Sequence, residues 1–83
     1  MNATVIRAVV LSTLREIAPE VDPGSLRADR PLRRQVDLDS MDWLNFLLAL
    51  HAKLKVEIPE SDYARLVTLD DVVSYLDEAA QRQ

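Results

Sequence analysis

The stretch VDLDSMDWLNFLLAL, residues 36–50, sets three aspartates around one serine and then becomes almost wholly apolar. Phe46, Leu47, Leu50 and Leu54 fall at i, i+1, i+4 and i+8, one face of a helix, so the spacing predicts a helix from about Ser40 to Lys55. Asp39 is the natural N-cap: its carboxylate can accept an orphan backbone N–H and interacts favourably with the positive end of the helix dipole, an effect to which Asp42 adds. Ser40 then stands at the first helical position with its hydroxyl free. Serine is itself a common cap, so a structural role competes with any chemical one.

Working outward, Val5, Ile6, Val9, Val10, Leu14 and Ile17 recur at helical spacing and predict a first helix that Asn2 or Thr4 can cap and Pro19 ends. From Ala18 to Leu38 the chain carries Pro19, Pro23, Gly24 and Pro31, with Val21, Leu26, Leu32 and Val36 as anchors; this reads as a long loop with room for a turn of helix. Loops of this length inside a small domain are uncommon and usually functional. Pro59 bounds the second helix. Ser61 to Leu66 can make one or two helical turns, and Thr68 followed by Asp71 resembles a capping box opening a last helix with the buried stripe Leu69, Val72, Val73 and Leu76. The expected fold is all-α: a four-helix bundle with a long first loop and a short third helix, forming one domain over residues 1–83.

Composition narrows the chemistry. At 83 residues the chain can bury roughly 60–65% of its unfolded surface, enough for one modest core. Without cysteine there is no disulfide framework, zinc–thiolate cluster or thiol nucleophile. Arg7 and Glu16 interrupt the apolar N-terminal segment, and the uncharged run from Trp43 to Ala52 is only ten residues. Neither is a signal peptide or a membrane span, and a cytoplasmic protein is expected. The net charge of −4 conceals an asymmetry, since residues 1–36 carry six basic and four acidic side chains and residues 37–83 four basic and ten acidic. Such an acidic balance argues against a nucleic-acid partner.

An enzyme built on Ser40 would need a base, and His51 is the only imidazole. Eleven residues along one helix amount to about 16 Å of rise, against the roughly 3 Å that proton transfer requires. There is no Gly-x-Ser-x-Gly elbow and no glycine-rich loop to make an oxyanion hole or cradle a phosphate. His51 is expected to be a solvated surface residue. No catalytic residue and no metal site are expected. What remains is a hydroxyl at a helix N-terminus, where backbone N–H groups and the dipole favour an attached phosphate.

Leu38-Asp39-Ser40-Met41-Asp42 resembles the Asp-Ser-Leu/Met attachment motif of acyl carrier proteins. The likeness spans nearly the whole chain: a first helix, a long loop, the motif opening the second helix, the Val56-Glu57-Ile58-Pro59 segment, a short helix, and a last helix beginning Thr68-Leu69. It implies a non-catalytic carrier whose Ser40 bears 4′-phosphopantetheine, transferred from coenzyme A by a phosphopantetheinyl transferase, with acyl groups held as thioesters on the arm. The partners implied are that transferase and acyl-activating or acyl-transferring enzymes, visited by a monomer.

The resemblance also distributes roles. Asp39 and Met41 flank the attachment site, Asp39 beside the metal and pantetheine site of the modifying enzyme. Met41, Leu44 and Leu48 form a stripe displaced from the core face; with Asp42 they are expected to meet partners, the competing reading being burial in so apolar a helix. Phe46, Leu47, Leu50, Leu54, Ile58, Leu66, Leu69 and Val73 match the family's acyl-accommodating interior and are equally read as plain core. Trp43, one turn after Ser40, either lines the mouth of that pocket or simply packs.

Two departures bear on partner choice. Family members in fatty-acid synthesis have a strongly acidic second helix, whereas here its body carries Asn45, His51, Lys53 and Lys55. Docking that is largely electrostatic would change accordingly, so a specialised carrier is expected rather than a housekeeping one. Asp37 replaces a glycine common two residues before the Asp-Ser pair. The arginines 27, 30, 33 and 34 make the preceding loop basic, suited to solvation, to an acidic partner or to internal pairing with Asp37 and Asp42. The alternatives are an aminoacyl or D-alanyl carrier, or an unmodified helical adaptor that binds through Met41, Leu44 and Leu48.

Overall fold

The computed structural model describes residues 1–82. Three long helices carry the core: α1 (Ala3–Ile17), then, after a short α2 (Leu32–Gln35), α3 (Ser40–Leu54), and finally α4 (Leu69–Gln81). One-turn 3-10 segments occur at Pro23–Ser25 and, longer, at Glu60–Arg65, and a single bridge pairs Pro31 with Thr68. The described residues contain no strand, as the helical periodicities predict.

Each long helix begins where a polar side chain can take an orphan N–H. Asn2 accepts from Val5 at 2.9 Å and Asp39 from Asp42 at 2.8 Å. Thr68 and Asp71 make a reciprocal box with both bonds at 3.0 Å, as their spacing suggests. α3 ends at Leu54, one residue short of expectation, because Lys55 turns into the left-handed region (φ 54°) and closes the helix.

α1 packs against both α3 and α4. Ile6, Val10 and Leu14 of α1 are buried against Phe46, Leu47 and Leu50 of α3 and Leu69, Val72 and Leu76 of α4. Full burial of each such side chain contributes about 1.5–3 kcal/mol, which is what orders the helices. Val73, placed by its spacing on the buried stripe, is only partly buried, as is Ile58; both lie at the margin of the core. Thr13, the one buried polar side chain among the described residues, bonds back to the Val9 carbonyl at 2.7 Å and accepts from Lys53 Nζ at 3.1 Å. Lys53 also pairs with Glu16, so a polar strut ties α1 to α3 beside the core.

The segment from Ala18 to Leu38 is more ordered than a loop. Pro23 opens the 3-10 turn with Asp22 as its cap, and Pro31 precedes α2. Leu32, fully buried, anchors α2, and its N–H donates to the Val67 carbonyl at 2.9 Å. The Gln35 side chain accepts from Arg27 N–H at 2.7 Å and donates to the carbonyls of Arg27 and Arg30 at 2.9 and 3.0 Å. One amide thereby satisfies backbone groups that no regular element serves. Asp37 sits in ordinary backbone, since Lys55 is the only non-glycine with positive φ among the described residues, and the position needs no glycine here.

The Glu60–Arg65 segment contains no fully buried residue. It is joined to α4 by a 2.6 Å bond from the Tyr75 hydroxyl to Asp62, while the Arg65 guanidinium lies 5.2 Å from the Tyr75 ring centre. Burial first, and then the bond and charge of Asp62, push the Tyr75 phenol up to about 12 from 10.0.

Two outcomes are expected. Asp39→Ala removes the α3 cap and should lower the unfolding free energy by about 1 kcal/mol in denaturant titration. Because the folded-state pKa of Tyr75 lies above its unfolded value, its stabilising contribution is whole below pH 10 and is lost as pH rises toward 12. Phenolate absorbance from Tyr75 should develop at the top of that window, and Asp62→Asn should move it to lower pH.

Candidate functional site

Ser40 opens α3 and is solvent-exposed. The Asp39 carboxylate takes the Asp42 N–H, and the Asp39 carbonyl accepts from Trp43 N–H at 3.0 Å, so the first turn is closed without the serine side chain. The Ser40 hydroxyl makes no hydrogen bond among the described residues. The backbone N–H groups of Ser40 and Met41 are among the four at a helix start that have no internal acceptor, and the Asp39 cap takes neither of them. An exposed, unengaged hydroxyl beside two free donors and the positive helix end suits a phosphodiester on Oγ. The residues present therefore fit covalent attachment of a phosphate-linked group.

They do not fit serine catalysis. Ser40 and His51 lie on the same helix, eleven residues apart, or about 16 Å of rise. His51 is exposed, but its Nδ1 lies 2.8 Å from the Val56 carbonyl, so the ring serves the chain beyond α3 rather than solvent alone. No cluster of three or more metal-ligating side chains occurs among the described residues.

Along α3 the expected face divides. Met41 and Leu48 are 63% and 50% exposed, Leu44 between them is partly buried, and Asp42 is partly buried at the rim. Phe46, Leu47, Leu50 and Leu54 face the interior with Leu66 and Leu69, all buried in the common core, and Ile58 and Val73 pack on its edge. Trp43 is 8% exposed; its ring packs on Phe46 at 5.3 Å between centroids, and it also lines a groove of about 210 Å³.

The opposite wall of that groove comes from residues the sequence pattern did not single out, Tyr63 and Val67, together with Pro31 and Arg33. Arg33 belongs to the basic cluster, yet it does not pair with Asp37 or Asp42. Its guanidinium sits 5.9 Å from the Trp43 ring centre. Among the described residues no ion pair joins any of the four loop arginines to those aspartates; Arg27 instead meets Asp29 at 3.5 Å. Internal pairing is thus corrected: α2 and the Gln35 staple turn these side chains outward. No helix of the described residues is long and apolar enough to cross a membrane.

Residues 6–76 match the family model described as a phosphopantetheine attachment site. The chain is 32% identical over 72 residues to an acyl carrier protein of Campylobacter jejuni, covering 87% of each. It is 32% identical over 72 residues to one of Campylobacter concisus, covering 83% of this chain and 94% of that one. A solution structure assigned as an acyl carrier protein of Anaplasma phagocytophilum superposes with a TM-score of 0.81 at 23% identity, covering 94% of this chain and 91% of its own, and supports the fold. With an all-α fold and a family match over most of its length, the chain belongs to the acyl carrier proteins, non-catalytic carriers to which 4′-phosphopantetheine is covalently attached.

Proposed function

We propose that Ser40 is the attachment point and that the protein, as a single domain over residues 1–83, carries thioester-bound acyl groups between partner enzymes of a specialised pathway. The observation that carries this reading is the exposed Ser40 hydroxyl, left unengaged because Asp39 performs the capping. In the attachment reaction Ser40 Oγ displaces 3′,5′-ADP from coenzyme A. The Oγ–P bond forms as the pyrophosphate P–O bond breaks, and the serine proton passes to the transferase. When bound, the arm supplies the thiol that this cysteine-free chain lacks.

This chain's own part is to present and to be recognised. The two free N–H groups of the first α3 turn would hold the phosphodiester, whose charge the dipole would favour. Met41 and Leu48 offer an apolar patch beside the serine, with Leu44 beneath and Asp42 at its rim, where a transferase or loading enzyme can exclude water. The body of α3 bears Asn45, His51 and Lys53, and Lys55 closes it, instead of a row of acids, which supports partners other than those with strongly basic docking surfaces. A monomer in the cytoplasm suits a carrier that visits several enzymes in turn.

The test is the intact mass before and after incubation with coenzyme A, Mg²⁺ and a broad-specificity phosphopantetheinyl transferase. Wild type should gain one phosphopantetheine and Ser40→Ala none, while Ser40→Ala keeps its stability within about 0.5 kcal/mol. No gain with several transferases would overturn the carrier reading and favour the unmodified adaptor.

A further inference from the structure

The groove beside Trp43 has features that attachment at Ser40 does not use. Trp43 lies one turn beyond Ser40, and because side chains on a helix tilt toward its N-terminus, the indole leans back over the turn that begins at the serine. Its ring, with Tyr63, Leu66 and Val67, makes a largely apolar trough of about 210 Å³. The trough is open on its outer side and offers a short acyl group an apolar surface to lie against.

The rim of the trough is cationic. The Arg33 guanidinium stands 5.9 Å from the indole centre and, among the described residues, has no carboxylate partner. The backbone that carries it is anchored from below. The neighbouring Leu32 is fully buried, the Leu32 N–H bonds to Val67 across the groove, and Gln35 staples the preceding turn. A guanidinium over an aromatic floor presents a planar fork of donors that matches a carboxylate in two bonds. The phosphodiester at Ser40 has donors of its own in the first α3 turn, which leaves Arg33 for an anion farther along the arm.

We propose that this trough receives the thioester end of the arm when its cargo is a short acyl group ending in a carboxylate, and that Arg33 is the residue that selects such cargo. The inference rests on attachment at Ser40. Trp43 and Tyr63 shield the thioester and chain carbons, while Arg33 takes the terminal carboxylate at the rim. A neutral acyl group of similar size fits the trough but leaves the guanidinium unpaired.

The test uses the ¹⁵N-labelled protein, loaded at Ser40 by a broad-specificity transferase from coenzyme A, butyryl-coenzyme A or malonyl-coenzyme A, each product verified by intact mass. Trp43 is the only tryptophan, so one indole N–H cross peak reports the floor of the trough, and the Arg33 Nε–H peak, identified by its absence in Arg33→Gln, reports the rim. The malonyl form should shift both peaks relative to the holo form, and the butyryl form should leave the Arg33 peak in place. Arg33→Gln should lose the malonyl-specific shift at Trp43, Arg33→Lys should keep part of it, and Arg34→Gln, outside the groove, should keep all of it.

Equal spectra for the malonyl and butyryl forms would overturn the selection of carboxylate cargo. An Arg33 shift already complete on going from the apo to the holo form would assign the guanidinium to the phosphodiester and overturn it as well. Failure to load at all appears in the mass spectrum and removes the carrier reading itself, which separates the two failures. The comparison of acyl groups on unmutated protein stands even where an Arg33 variant folds poorly.

Discussion

The bond from Asp42 N–H to the Asp39 carboxylate is the constraint on which the functional end of the molecule depends. A helix start must satisfy its orphan donors, and whichever residue does so cannot also be freely presented. By giving that task to Asp39, the chain places the next residue at the first helical position with its oxygen facing water. The rotation of α3 is set by burial of its Phe46, Leu47 and Leu50 face, which leaves Met41 and Leu48 exposed on the side of the serine. The cap decides where a group can be attached, and the core decides which apolar side chains surround it.

The core reinforces that placement through α1 rather than through α3 alone. α1 contacts both other long helices, and the Thr13–Lys53–Glu16 strut gives the α1–α3 contact a polar register mark beside its apolar interface. Apolar packing tolerates small slides, whereas a directional bond to a buried hydroxyl does not. The serine end of α3 is accordingly held by a cap at its start and by a strut near its far end.

The three long helices and their caps were legible in the sequence because each rests on local rules: apolar spacing, and an Asn, Asp or Thr where a helix must begin. The match of Thr68 and Asp71 to a capping box is the clearest case. The Ala18–Leu38 segment was legible only in outline. Its order comes from contacts with no periodic signature, above all Gln35 reaching back eight residues to Arg27 and Leu32 bonding to Val67. For the same reason the groove was half visible. Trp43 stood out as the only tryptophan, one turn after the serine, but Tyr63 and Val67 are brought to the same groove by tertiary packing. The direction of Arg33, toward the indole rather than toward Asp37 or Asp42, follows from how α2 is seated.

The wall that contains Tyr63 differs from the rest of the molecule in how it is held. The Glu60–Arg65 segment buries no residue completely and is secured by the Tyr75–Asp62 bond, the Arg65–Tyr75 stack and the partly buried Tyr63. Regions with few buried contacts open at a fraction of the free energy needed for global unfolding. By that rule the segment should open at lower cost than α1, α3 and α4, which share the buried core. One wall of the groove is thus held by polar and ring contacts, where the other rests on core burial.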